Sequence, residues 1–182
     1  MKCVVSDTGP MLSVFQAEQT KLLLSLYDRL YIPSGALPEY IKHKAQAELD
    51  ELIRLKFVTV CELAKSEKGL AWQIAQEIAK HPLTKDKLAQ NHYAEAEAMV
   101  LMNRPDLDAV EMLVDELAAR EIAKKRGIPF VGFAGILIRA CKTKQIEPEQ
   151  VRFILLKCQS LGTHYATEFI EGIYSRLKRE LP

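Results

Sequence analysis

The chain has 182 residues, of which 48% are hydrophobic and 27% are charged. This length suits one domain, and the composition supports a buried core and excludes a disordered or fibrous chain. With 25 basic and 24 acidic side chains the net charge is +1. Any contact with nucleic acid must therefore come from a local patch, because the surface as a whole is not basic.

The sequence predicts neither a membrane span nor a secretion signal. No apolar run approaches the ~20 residues that cross a bilayer, and Asp7 and Pro10 interrupt the apolar start of the chain. The four cysteines lack the close spacing of zinc ligands or of a small disulfide scaffold. We therefore expect a cytoplasmic protein without a membrane partner, whose thiols are reduced and buried.

Short β-branched segments alternate along the chain with segments of helical periodicity. Strands are predicted at 2–6, 30–32, 56–61, 109–114 and 127–132. Helices are predicted at about 8–28, 36–55, 70–79, 93–103, 116–126, 135–142, 149–161 and 166–179. Residues 81–92 are expected to form a loop. Strands that alternate with helices imply right-handed crossovers, so we predict a single three-layer α/β/α domain over 1–182 with a parallel sheet of about five strands.

Acidic side chains follow two of the predicted strands. Asp7 follows the first and Asp115 the fourth, and ligands of open parallel sheets bind beyond the carboxyl ends of the strands. A pair of carboxylates at that edge suits a hard cation such as Mg²⁺ or Mn²⁺. Each acid alone also fits a local role, Asp7 as a helix cap and Asp115 as a charge near a helix N-terminus.

Three glutamates on predicted helices are further candidates. Glu95 shares a helix face with Ala98 and Met99, and a carboxylate on a packing face needs a partner or a cation. Glu97 is turned about 200° from Glu95, so we expect it to be a solvated helix charge. Glu39, near the start of the helix after the second strand, also fits a simple interaction with the helix dipole.

Taken in order, five segments resemble those of PIN-like domains. The resemblance covers roughly residues 2–160 and is greatest to a branch of unknown function whose members are often labelled predicted nucleic-acid-binding proteins. That branch is related to the toxin nucleases of toxin–antitoxin pairs. The segments are Val4-Val-Ser-Asp7-Thr-Gly-Pro10, Ile32-Pro33 followed by Glu39, Ala94-Glu95-Ala-Glu-Ala98, Leu113-Val-Asp115 with Ala118-Ala-Arg120, and Gly127-Ile-Pro-Phe-Val-Gly132.

The resemblance implies a metal-dependent ribonuclease, with an antitoxin protein as a second partner besides RNA. Ser6 or Thr8 would match the small hydroxyl residue beside the first acid of the family. Two positions depart from the branch: Ala94 stands where a glycine is usual, and Phe133 where a threonine is usual, which removes a hydroxyl near the metal site. We expect the Phe133 ring either to narrow the cleft or to offer a surface for base stacking. The acidic quartet that holds divalent metal and carries catalysis in PIN nucleases is matched by Asp7, Glu39, Glu95 and Asp115.

Basic residues and histidines complete the candidates. Arg120 and Lys124, with Lys125 and Arg126, follow Asp115 on one helix, and a second basic group follows the fifth strand at Arg139, Lys142 and Lys144. These are candidates to hold the phosphate backbone of a substrate, although charges on a solvated helix are common. The histidines share no spacing, so surface or capping roles are expected for His43, His81, His92 and His164.

Three other classes of protein have features that can be compared with this sequence. A response-regulator receiver would need an acidic pair after the first strand and a lysine after the last, and a dinucleotide-binding domain would need a glycine-rich first turn. Neither pattern is present. A PIN-like fold that binds nucleic acid or protein without catalysis is compatible with the sequence. The apolar stripe of the last helix fits packing on the domain and a homodimer contact equally well.

Overall fold

A computed structural model describes residues 1–180 of the chain. Its centre is a five-stranded, all-parallel sheet in the order β3-β2-β1-β4-β5. The strands are β1 (Cys3–Ser6), β2 (Arg29–Pro33), β3 (Val58–Cys61), β4 (Ala109–Leu113) and β5 (Phe130–Val131). Helices cover both faces of the sheet, so the predicted three-layer α/β/α architecture is confirmed. The end of the predicted domain, at residue 182, lies outside the described residues.

Ten α-helices connect and surround the strands over residues 1–180. They are α1 (Thr8–Gln16), α2 (Thr20–Leu26), α3 (Leu37–Lys42), α4 (Gln46–Arg54), α5 (Lys65–Lys80), α6 (Tyr93–Leu101), α7 (Leu117–Lys125), α8 (Phe133–Lys142), α9 (Pro148–Ser160) and α10 (Thr167–Glu180). Short 3₁₀ turns lie at Ser34–Ala36, Ala89–His92 and Pro105–Leu107. Within this part of the chain, no helix is both long and apolar enough to cross a membrane.

The sheet separates two apolar cores. Val4 and Ile32 point to one side, where they pack with helices α1–α4 and α8–α10. Val5 and Met112 point to the other side, where α5, α6 and α7 cover them. This alternation follows from the two-residue period of a strand, and it makes β1, β2 and β4 apolar on both faces, as expected of parallel strands covered by helices. All four cysteines are free and buried, as predicted.

Two predicted helices are each broken in the structure. The segment 8–28 divides into α1 and α2, with Glu18 between them at φ 60°, and the segment 36–55 divides into α3 and α4, with Lys44 between them at φ 57°. Both linking residues adopt the left-handed conformation, in which glycine and asparagine are common and glutamate and lysine are not. The residue types at these two positions therefore do not indicate that the helices break there.

The C-terminal helix packs on its own domain. Ile170, Ile173 and Leu177 of α10 are buried and belong to the core that includes α8 and α9. Phe169, from the same predicted stripe, is 48% exposed. The apolar stripe is therefore used largely inside the domain, which was one of the two interpretations left open by the sequence.

Candidate functional site

Asp7 occupies the central position of the candidate site. It follows β1, and its backbone N–H donates to Leu113 O of β4 over 3.0 Å, which fixes the two strand ends side by side. Its side chain caps α1, because Oδ2 accepts from the Gly9 N–H over 3.4 Å. Asp7 is only 5% exposed. Burial, followed by the charge of Glu95, raises its pKa well above the ordinary range of an aspartate, and Glu39 raises it further.

Glu95 and Glu39 come to Asp7 from different elements. Glu95 lies in the first turn of α6, and Glu39 in the first turn of α3. Both are close enough for their charges to act on Asp7. Tyr40, fully buried beside them, has its pKa raised by burial and then by the charges of Asp7 and Glu39. Three acids that are far apart in sequence therefore lie near the carboxyl end of β1, with Asp7 within range of the charges of both glutamates.

Asp115, at the end of β4, is near Asp7, because a Cβ at Gly9 would lie within 4 Å of both side chains. We call the surface around Asp7, Glu39, Glu95 and Asp115 the acidic cleft.

Asp115 has a cationic partner. Its Oδ1 accepts from Arg120 Nη2 over 2.8 Å and from the Phe133 N–H over 3.0 Å. Burial raises the pKa of Asp115, and the charge of Arg120 opposes that rise. Gly132 passes so close that any side chain there would overlap the guanidinium of Arg120 and the carboxylate of Asp115. Glycine is therefore required at this position for the ion pair to form.

A histidine lies beside Glu95, at the limit of ion-pair distance and without a hydrogen bond to it. His92 is 4% exposed, and its Nδ1 lies 3.9 Å from Glu95 Oε1. The Glu95 carboxylate raises the pKa of His92 to about 9, so the imidazole is protonated at neutral pH. The other ring nitrogen contacts Asp86 O at 3.0 Å. Two of the four acids thus carry their own cation, while Asp7 and Glu39 do not form an ion pair among residues 1–180.

Polar atoms without partners are concentrated around these acids. Buried side-chain atoms that form no hydrogen bond include Glu95 Oε2, Asp115 Oδ2, Thr8 Oγ1 and Tyr40 OH. Such atoms are costly unless a water, ion or ligand satisfies them. Carboxylate oxygens are also the donors that hard divalent cations prefer. The residues therefore fit Mg²⁺ or Mn²⁺ in their chemistry, although across 1–180 no three His, Cys, Asp or Glu side chains are grouped as a coordination set.

Comparison with known proteins identifies the family of the chain. The sequence model of the family DUF3368, described as a PIN domain, matches residues 3–179. The chain belongs to the PIN domain family. No curated protein matches the chain by sequence. The family match spans nearly all of this PIN domain, including both C-terminal helices, and so extends past residue 160, where the resemblance drawn from the sequence ended.

Of the predicted substrate-binding residues of this PIN domain, Ser6 and Thr8 are both buried. Ser6 donates its hydroxyl to Asp7 O over 2.7 Å, and Thr8 is 1% exposed with no partner for its hydroxyl. Arg120 is bonded to Asp115 and also donates from Nε to Val114 O over 2.8 Å. Lys124 is exposed in the last turn of α7, about 10 Å further along the helix axis than Leu117. Of these four residues, only Arg120 donates a hydrogen bond to one of the four carboxylates.

Much of the predicted basic patch is neutralised by the protein itself. Arg126 pairs with Glu77 over 2.8 Å, and Lys142 pairs with Glu180 over 2.9 Å. Arg139 forms a two-pronged ion pair with Glu111 and donates to Tyr27 OH, so it belongs to a buried polar cluster. Arg139 is therefore not available to hold a phosphate backbone, because its partners Tyr27 and Glu111 belong to the protein.

Three expectations from the sequence are wrong. Glu97 is not solvated: it is 4% exposed, and its Oε2 accepts from the Gly35 N–H over 3.0 Å. His92 is not a surface residue: it occupies the N-cap position of α6, but its ring forms no capping hydrogen bond and lies buried beside Glu95. Phe133 does not face the cleft, because its ring is fully buried in the core and only its backbone N–H reaches Asp115. A base-stacking role for Phe133 is therefore excluded.

Two hollows flank the acids. The larger, of about 820 Å³, lies beside Asp115 between α8 and α10, and its walls are mainly apolar. Among its lining residues are Arg120, Val131, Ile138, Tyr165, Phe169 and Ile173. The smaller, of about 470 Å³, lies on the Glu39 side. Its wall includes Ala94, which is 7% exposed at the position where the related branch usually has glycine.

Proposed function

We propose that this PIN domain is a divalent-metal-dependent ribonuclease. The observation that carries the proposal is the convergence of Asp7, Glu39 and Glu95 from three separate elements, close enough that the charges of the two glutamates raise the pKa of Asp7. Asp115 adds a fourth carboxylate from the neighbouring strand end. Unrelieved repulsion of this kind is unfavourable for folding, and it is typical of sites whose charge is completed by a cation.

In this proposal the four carboxylates would hold the cation. A divalent ion bound there would polarise a phosphate oxygen and lower the pKa of a bound water. His92, whose ring contacts the backbone oxygen of Asp86, would fix the orientation of Glu95. Arg120, which donates to the backbone oxygen of Val114, would fix the orientation of Asp115. The carboxylates would then approach the ion with little freedom to reorient.

The second candidate function is a binding module without catalysis. Two observations favour it: Asp115 is already neutralised by Arg120, and the acids in residues 1–180 are not grouped as metal ligands. The apolar hollow beside Asp115 would then receive a protein partner. The relation to toxin nucleases extends either candidate to one half of a toxin–antitoxin pair, in which the antitoxin would be that partner.

A cleavage assay with matched variants tests the proposal. The purified chain is incubated with a pool of single-stranded RNA and Mn²⁺ or Mg²⁺, with EDTA as the metal-free arm. We expect Asp7→Asn to lower the cleavage rate by at least about 100-fold, the scale on which single electrostatic groups of active sites act. Glu48→Gln, which removes an exposed carboxylate on α4, should leave the rate unchanged.

The two candidates give different results in this assay. Cleavage that continues in EDTA, or that is equal in Asp7→Asn and the natural chain, would contradict the metal-dependent nuclease. RNA retention without cleavage would favour the binding module instead.

A further inference from the structure

An exposed tryptophan and a half-buried tyrosine lie beside the smaller hollow. Trp72, on α5, is 42% exposed, and its ring centroid is 6.2 Å from that of Tyr93, the first residue of α6. The ring planes are tilted by 51°, so the rings adjoin without stacking on each other. Together with Gln90 they line an open hollow of about 390 Å³. A single exposed aromatic needs no explanation, but two that form a concave surface do.

This aromatic hollow continues into the acidic cleft. Tyr93 and Gln90 also line the neighbouring hollow of about 470 Å³, whose wall contains Glu39 and Gly35. Glu95 lies two residues after Tyr93 in the same helical turn. A chain-like ligand that passes over the carboxylates on the Glu39 side would therefore meet the two rings next.

Lysines flank the same route. Lys68 precedes Trp72 by four residues on α5, so both side chains project from one face of the helix, and Lys68 is exposed. Lys42, the last residue of α3, lines the hollow with Glu39. Neither lysine forms an ion pair within residues 1–180, in contrast to Arg120 and Arg126. The route thus offers aromatic surface together with cations that remain available to phosphate groups.

We propose that Trp72 and Tyr93 form a stacking subsite for an unpaired nucleobase that flanks the scissile phosphate. This inference rests on the proposed function and adds to it a base-binding subsite formed by two side chains of this chain. Aromatic side chains stack on bases of any sequence, whereas bases within a duplex have no free face to offer. Lys42 and Lys68 would contact the phosphates on either side of the stacked base.

The experiment uses the tryptophan itself as the reporter. Trp72 is the only tryptophan of the chain, so its fluorescence reports on this surface alone. The full-length Asp7→Asn variant is titrated, in Mn²⁺, with a uridine hexanucleotide, an abasic ribose-phosphate hexamer of equal charge and a duplex RNA. We expect the hexanucleotide to quench the fluorescence and the abasic and duplex probes to leave it largely unchanged.

Affinities measured by anisotropy of a labelled hexanucleotide provide the second readout. Trp72→Ala should weaken binding by about 5- to 150-fold, the range for loss of one stacked base, and Trp72→Phe should retain most of the affinity. Phe153→Ala is the matched control, because Phe153 is 68% exposed on α9, in the helical layer on the other face of the sheet. The Phe153→Ala variant should bind the hexanucleotide with unchanged affinity.

The outcomes separate the subsite from the nuclease. Two results would overturn the subsite even if the natural chain cleaves RNA. One is equal quenching by the abasic hexamer and the hexanucleotide. The other is equal affinity for the hexanucleotide with and without the Trp72→Ala substitution. Base-dependent quenching in a chain that never cleaves would support the subsite and contradict the nuclease. If Trp72→Ala does not fold, the fluorescence titration of the protein that keeps Trp72 still tests the subsite, because it compares the hexanucleotide with the abasic and duplex probes.

Discussion

Arg120 Nη2 donates to Asp115 Oδ1 over 2.8 Å, and this ion pair sets the charge of one wall of the acidic cleft. A second donor, the Phe133 N–H, reaches the same oxygen, while Asp115 Oδ2 has no partner. One oxygen of the carboxylate is thus held by the protein, and the other forms no hydrogen bond with it. The sequence suggested Arg120 as a substrate contact, but in the structure it orients an acid.

The first prediction concerns the strength of this pair. Arg120→Ala should lower the free energy of unfolding by about 1–3 kcal/mol, because it leaves a largely buried carboxylate without its charged donor. For a domain of this size that corresponds to a fall in Tm of roughly 2–12 °C. Once Asp115→Asn is present, the same change should cost less, by about 0.5–3 kcal/mol of coupling. Additive losses in a thermal double-mutant cycle would contradict the pair, and Arg126→Ala serves as the control at an exposed arginine.

The second prediction tests the close approach at Gly132. Gly132→Ala should destabilise the protein by about 1–3 kcal/mol, since the new methyl group overlaps the side chains of Arg120 and Asp115 and one of them must move. Gly172→Ala is the matched control, because nothing lies within 4 Å of its Cβ position on α10. That substitution should stabilise the helix by about 0.5–1 kcal/mol. Tm values that change in the same direction for both variants would be evidence against the close approach.

The third prediction uses the buried cluster around Glu111. Burial raises the pKa of this carboxyl, but the hydrogen bonds and charge of Arg139 outweigh burial and lower it overall. A lowered pKa in the folded state means that ionised Glu111 stabilises the fold above the ordinary glutamate range, near ~4.3, and that this contribution is lost as the pH falls through the folded-state pKa. Glu111→Gln should therefore be less stable than the natural chain at pH 7, with the difference shrinking toward pH 3.

Melting curves at several pH values provide the measurement for Glu111. Glu51→Gln, at an exposed pair with Arg54, is the control and should change the free energy of unfolding by less than about 1 kcal/mol. A Tm difference for Glu111→Gln that stays constant with pH would mean that its ionised form does not stabilise the fold.

The sheet and the order of its helices were predictable because each rests on a strong local pattern. β1, β2 and β4 are short apolar runs, and Gly127, which adopts φ 68°, stops α7 as a terminal glycine commonly does. The breaks at Glu18 and Lys44 were not predictable, because neither residue type signals a left-handed turn. The placement of Asp7 and Asp115 at one edge follows from topology, since parallel strands end at one edge. Glu39 and Glu95 lie on helices, and only the resemblance to PIN-like domains groups them with the two aspartates.

The errors at the site have physical reasons as well. Glu97 was assigned to solvent on the basis of its angle from Glu95, but α6 is covered on nearly all sides, as its almost wholly apolar sequence after Glu97 could have indicated. His92 lies three residues before Glu95, a spacing that brings two side chains together on a helix. The sequence predicts a loop at 81–92, so it gives no reason to pair the two residues. The direction of the Phe133 side chain depends on the junction of β5 and α8, which residue types do not define.

The last prediction tests the metal site by stability and needs no RNA. A ligand that binds only the folded state stabilises it by about 2.7 kcal/mol at a hundredfold excess over Kd. At roughly 2–4 °C per kcal/mol, Mn²⁺ added to EDTA-treated protein should raise Tm by roughly 5–10 °C. Asp7→Asn should lose this shift. Without metal it should be at least as stable as the natural chain, because it removes a charge opposed by burial and by Glu95, while asparagine still caps α1. Glu48→Gln should keep the full shift. A natural chain whose Tm does not respond to Mn²⁺, or an Asp7→Asn variant that responds fully, would remove the carboxylates as a metal site and leave the binding module as the better account of this PIN domain.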